Sequence, residues 1–167
     1  MISFLDDTIH SQYLSTDAAF GPTLPSNGLE GRLLEAKPSI YACSSIWSNL
    51  TTGIDNPIIL VSRSPDGGCT FEEKVRVVEA AGGVGAVIYD YENEGLLTMG
   101  PDGGSSPSIP SIFVSKASGD SILSELGEYG DVNGTVGSLL EGDGGSDSND
   151  DDLLQIPSLG FSFLILY

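Results

Sequence analysis

Two short β-branched runs on either side of one well-capped amphipathic stretch restrict this chain more than anything else in it. "PIILVSR" (57–63) and "GAVIYDY" (85–91) are apolar and bounded by turn residues, as buried strands are. Between them lies "GGCTFEEKVRVVEAAGG" (67–83), which predicts a helix. Thr70 can accept from the Glu73 amide while Glu73 reaches back, the reciprocal arrangement of a capping box. Phe71, Val75, Val78 and Gly82 then fall on one face. Glu72 precedes Arg76 by four residues in the favourable order, and Gly82 and Gly83 supply the stop.

A third run, "IPSIFVS" (109–115), leads into a second helix over "KASGDSILSELG", which Ser115 can cap and Gly119 weakens. "DVNGTVGSLL" reads as a closing strand. The second "PDGG" (101–104) has flanks unlike the first, so both are turn chemistry and not a repeat. One or two helices against six or seven strands predicts an α+β fold, a β-rich barrel or open sandwich with the helices at its side.

At 167 residues, one domain with tails is expected. Residues 1–39, with "FGPTLPSNGLEG", read as a turn-rich extension packing on that domain. Residues 40–140 form the domain itself, and 141–152 ("EGDGGSDSNDDD") an acidic linker. Residues 153–167 ("LLQIPSLGFSFLILY") make an apolar tail, shorter than the roughly 20 residues a span requires. Three readings of it compete: the start of a membrane anchor, a lipid-anchor signal with small residues at 144–146, and a terminal core strand. The first is the one expected.

Charge narrows the partners. With 24 acidic and 6 basic residues the net charge is −18, and no Lys/Arg cluster exists to release counterions from nucleic acid. No binding to nucleic acid is expected, and no cofactor. A zinc site is excluded by the shortage of Cys and His ligands, and an EF-hand at Asp147 fails because Asp152 and Ser158 stand where Gly and Glu are needed. There is no G-x-S-x-G elbow and no phosphate loop, and "GGVGAV" follows a helix instead of opening one. The sole histidine, His10, has no motif around it. No catalytic residue is expected.

Cys69, just before the helix, could be a nucleophile activated by the helix dipole, a metal ligand, or half of a disulfide. A nucleophile lacks a histidine base here. A bond to Cys43 would close a loop of about 25 residues and contribute roughly 3–4 kcal/mol in the chain-entropy model. The acceptor sequons at Asn49 ("NLT") and Asn133 ("NGT"), with the cysteine pair, point to an oxidising compartment. "MISFLDDTIHSQYL" shows no signal peptide, since it lacks a basic n-region and is broken by Asp6 and Asp7.

Taken together, residues 40–126 resemble a protease-associated domain. The matching pieces are the apolar strand ending in Arg63, the "GGCTFEEKV" turn into a helix, "GAVIYDY", the "LLTMG" loop and "IPSIFVSKASGDSIL". Cys43 in "YACSS" fits the partner cysteine of many members. "LLTMG" followed by "IPSIF" is most similar to plant vacuolar sorting receptors and membrane-anchored RING ubiquitin ligases. The resemblance implies a non-catalytic module that binds peptides or proteins, on the lumenal or extracellular face of an endosomal, vacuolar or Golgi membrane. Alternatives are an accessory domain of a peptidase and a standalone secreted glycoprotein. It further implies a ligand edge at Arg63 and the loop holding Leu97, Thr98, Met99, Gly100, Ser105 and Ser106. Arg63 could equally be an exposed charge at a strand end.

Overall fold

A computed structural model describes residues 11–66, 68–92, 94–130, 132–138 and 161–166. The strands are β1 (Ser11–Asp17), β2 (Leu29–Glu35), β3 (Pro57–Ser62), β4 (Gly85–Tyr89), β5 (Ser111–Val114), β6 (Val132–Ser138) and β7 (Phe161–Leu166). The helices are α1 (Phe71–Ala80) and α2 (Lys116–Tyr129), with a single 3-10 turn at Ser48–Leu50. The strands close into a barrel in the order β1-β5-β4-β3-β2-β6-β7, with β7 returning to β1. Pairing is parallel from β2 through β3 and β4 to β5, and antiparallel elsewhere. Of the two expected architectures, it is the barrel that forms.

Side-chain alternation sorts β3, β4 and β5 between two cores. Ile58, Leu60, Val87, Ile112 and Val114 belong to the cluster that also holds Leu33, Leu164 and Leu166 from the remaining strands. Ile122 and Leu126 of α2 join that cluster, and α2 touches β2, β4 and β6. Ile59, Val61, Ala86, Ile88 and Phe113 form the other cluster, under Val75 and Val78 of α1. Strands with apolar partners on both faces keep polar residues to their ends, here Ser62 and Ser111, which explains the apolar runs between. Each such Leu or Ile contributes on the order of 1.5–3 kcal/mol by leaving water.

The expected capping box at Thr70 and Glu73 is present, and Gly82, at φ +91°, follows the last helical turn. Gly119 has a role that propensity alone obscured. A Cβ there would lie 2.4–2.5 Å from Tyr89 atoms, so the glycine lets α2 lie against β4.

Two expectations are corrected. Within the stretch 1–39, β1 and β2 are not an extension packed on the domain but staves of the barrel itself. Their sequences hide this. Inside β1 the buried Ser15 Oγ meets Ser162 Oγ of β7 at 2.7 Å, so polar residues stand where apolar ones would betray a strand. Gly31 of β2 lies against the backbone of Asn56, where a Cβ would fall 2.0 Å from its carbonyl oxygen. Residues 161–166 of the tail are likewise no membrane anchor in this structure. They form β7, antiparallel between β1 and β6, with Leu164 and Leu166 fully buried. The acidic segment 141–152, residues 153–160 and His10 lie outside the described residues. Among the described residues no helix is long and apolar enough to cross a membrane.

Candidate functional site

The parallel strands bring three segments together at the N-terminal end of α1. The chain leaving β3 passes Arg63 and turns at 64–66; Cys69 and Thr70 lead into α1; and the 96–106 loop returns alongside. Between them lies a cleft of about 390 Å³ whose lining includes Arg63, Ser64, Phe71, Lys74, Gly100 and Asp102.

The disulfide joins Cys43 to Cys69, with the Cα atoms 5.4 Å apart. It ties the segment before β3 to the start of α1. Under it sits Lys74, only 1% exposed, with its ammonium 2.5 Å from the Tyr41 carbonyl, 2.6 Å from Ser64 Oγ and 3.7 Å from Cys43 Sγ. Burial pushes Lys74 down to about 8, with the Glu73 charge opposing the shift. A buried lysine held by a carbonyl and a hydroxyl, with no carboxylate in direct contact among the described residues, is unusual on a helix face.

Arg63 donates to Glu94 Oε2 at 2.8 Å and to the buried Asp90 at 3.2 Å, with the Tyr91 ring 5.5 Å away. The Glu94 bond is the main cause raising the guanidinium's affinity for its proton, burial opposes it, and Asp90 adds to it. Arg63 reciprocally lowers Glu94.

The 96–106 loop is fastened at many points. Asp102 accepts from Thr70 Oγ1 at 2.6 Å, Arg76 Nη2 at 2.9 Å and the Gly104 amide at 2.8 Å. Its own amide donates to Glu72 Oε2 at 2.8 Å, and Glu72 is only 2% exposed. Bonding with the neighbouring Glu72 carboxyl, then with Thr70 and Arg76, holds the Asp102 carboxyl well below the usual carboxylate range. Arg76 also reaches the Ser105 carbonyl at 2.8 Å, and Ser108 is bonded to Glu79.

Of the residues expected at a ligand edge, Arg63 and Gly100 line the cleft. Thr98, Ser105 and Ser106 are exposed on the same loop outside that lining. Met99 is corrected outright: it is fully buried in the cluster beneath α1, so its side chain cannot meet a ligand in this arrangement. Leu97 also turns inward, packing on that cluster while its carbonyl accepts from Thr16 Oγ1 at 2.6 Å. Sequence reasoning missed Ser64, Lys74 and Asp102. Asp102 lies in the second "PDGG", where turn chemistry concealed a side chain bonded to the helix start. Asn49 is exposed in the 3-10 turn, and Thr51 of its sequon donates to the Ala81 carbonyl at 2.6 Å. Asn133 is exposed on β6. Among the described residues no group of three or more His, Cys, Asp or Glu is placed to hold a metal ion.

Comparison with known proteins agrees with this architecture. The chain is 37% identical over 116 residues to receptor homology region, transmembrane domain- and RING domain-containing protein 1 of Oryza sativa subsp. japonica. The match takes in 70% of this chain and 21% of that protein. It is 33% identical over 105 residues to the E3 ubiquitin-protein ligase Godzilla of Drosophila melanogaster, across 63% of this chain and 20% of that one. The chain therefore spans about a fifth of these relatives. Among solved structures, a zinc aminopeptidase from Bacillus subtilis shares the fold at a TM-score of 0.50 and 17% identity, covering 75% of this chain and 33% of the enzyme. The PA domain family model matches residues 29–122, from β2 into α2. With more than half its length matched and the barrel assembled around that stretch, the chain belongs to the PA domain family.

Proposed function

We propose that this PA domain is a non-catalytic binding module that takes an extended peptide or protein segment into the cleft at the start of α1. The observation that carries the reading is the convergence of Arg63 and Gly100, from separate segments, on one concave surface braced by a disulfide. Concavity, a few convergent polar groups and a rigid floor are what a peptide site requires. The relatives' names support a setting in a membrane-tethered protein with a RING or receptor role, with this domain on the lumenal or extracellular face. In that setting Asn49 and Asn133 carry glycans, which glycosidase treatment of material made through the secretory pathway would reveal.

A displayed random-peptide library selected against the folded chain tests the reading. Selected peptides are expected to shift the amides of residues 64–70 and 100–102 in NMR titrations. Arg63→Ala should weaken them roughly tenfold, the scale of losing one charged contact at an interface. Peptides that perturb only the far side of the barrel, or bind the variant equally well, would overturn it.

A further inference from the structure

The two sulfurs of the disulfide differ in the hydrogen-bond donors around them. Three donors converge on Cys43 Sγ: the Cys69 amide at 3.3 Å, the Ser64 hydroxyl at 3.3 Å and the Lys74 ammonium at 3.7 Å. The Ser64 oxygen already accepts from Lys74 at 2.6 Å, which leaves its proton free to point at the sulfur. The Tyr41 carbonyl oxygen lies beside both sulfurs, 3.8 Å from Cys43 Sγ and 3.9 Å from Cys69 Sγ, so the donors alone set the two apart. Cys69 lines the cleft, whereas Cys43 lies outside it and is the more exposed of the two, so the preference for Cys69 rests on the leaving group and not on access.

We propose that Cys43–Cys69 is a polarised, exchangeable disulfide, with Cys69 the sulfur attacked by an incoming thiol and Cys43 the sulfur that leaves. A thiolate entering the cleft forms a new S–S bond to Cys69 Sγ. The Cys43–Cys69 bond breaks with its electron pair on Cys43, and the attacking thiol's proton has gone to solvent. One S–S bond replaces another, so no external oxidant or reductant is consumed. The departing Cys43 thiolate is received by the Lys74 ammonium, the Ser64 hydroxyl and the Cys69 amide. Exchange is faster when the leaving thiol is the more acidic one, and a neighbouring ammonium makes a thiol more acidic. The lowered Lys74 proton affinity is consistent with a buried cation that has no anionic partner among the described residues, a partner the thiolate would supply. The site would thus capture cysteine-bearing molecules reversibly, and it does so independently of whether the cleft also holds peptides.

The test uses the intact oxidised chain and reduced glutathione at neutral pH, quenched in acid, alkylated and mapped by mass spectrometry. Adducts on Cys69 with alkylated Cys43 should exceed the reverse arrangement by roughly tenfold, as expected from a leaving-group preference of this kind. In concentrated guanidinium chloride the preference should vanish. Lys74→Met should lower the native ratio several-fold, and Ser64→Ala, a milder change at a half-buried position, should lower it too should the lysine variant not fold. An even split, an excess on Cys43, no adduct at all, or a ratio unchanged in whichever variant folds would overturn the proposal.

Discussion

The parallel arc of β3, β4 and β5 and the antiparallel arc of β6, β7 and β1 form one barrel by different means. Every residue of β3, β4 and β5 is buried, because apolar clusters lie on both sides. In β6, by contrast, Val132, Gly134 and Val136 face inward while Asn133 is exposed. In β1, Ser15 and Thr16 are buried beside Tyr13, and the hydroxyls bond across to β7 and to the 96–106 loop. The first arc is apolar on both faces, whereas the second gives apolar side chains to one cluster and adds a few polar contacts over long sequence separations. Closure makes each depend on the other, since a barrel has no edge to leave unpaired.

The sharpest way to break this contrast is to remove an apolar side chain that the antiparallel arc gives to the shared core. Leu164→Ala should cost roughly 2–5 kcal/mol, the range for a buried Leu. Chemical denaturation would measure it. A cost under about 1 kcal/mol would mean that β7 is an appendage and that the first arc stands by itself. Replacing both Cys43 and Cys69 by Ser should cost about 3 kcal/mol in the chain-entropy model, lowering the midpoint without abolishing the barrel. Gly119→Ala should cost about 1–3 kcal/mol, because the added methyl meets the Tyr89 ring and Cβ and forces α2 off β4. A neutral result would show that α2 floats over the parallel arc and does not clamp it.

The smallest effect concerns pH. Lys74 titrates at about 8 when folded against its ordinary value near 10.5, so between those values the unfolded chain binds more protons. Stability contributed by this group therefore rises as pH goes from about 8 to 10.5. Compared with Lys74→Met, the wild-type chain should gain stability across that window. A difference between the two that stays constant with pH would place the Lys74 ammonium in contact with water.

How much of this was legible follows the same contrast. The parallel arc and α1 could be read residue by residue, because burial on two faces writes an apolar run and helix ends write their caps. β1, β2 and β7 could not. "SQYLSTD" turns a serine and a threonine inward, "LEGRLLE" carries a glycine needed for close backbone approach, and "FSFLIL" looks as apolar as an anchor. Part of their strand character comes from distant partners, such as Ser15 with Ser162, which no local window contains. The site divides likewise. Arg63 and Gly100 were reachable through family resemblance, and the same resemblance also nominated Met99, which packing claims for the core. Lys74 gave no signal, because a lysine in a helix is ordinary until the Tyr41 carbonyl and the Ser64 hydroxyl are found above it.

The register of β1 against β7 sets Ser11 opposite Leu166, so the first and last described strands begin and finish side by side. A pull applied through those two points would load the backbone bonds one pair at a time, from that corner inward, instead of sharing the force across the whole ladder. Unzipping of this kind yields to weak tension, and the seam between β1 and β7 is where a stretched domain would open first.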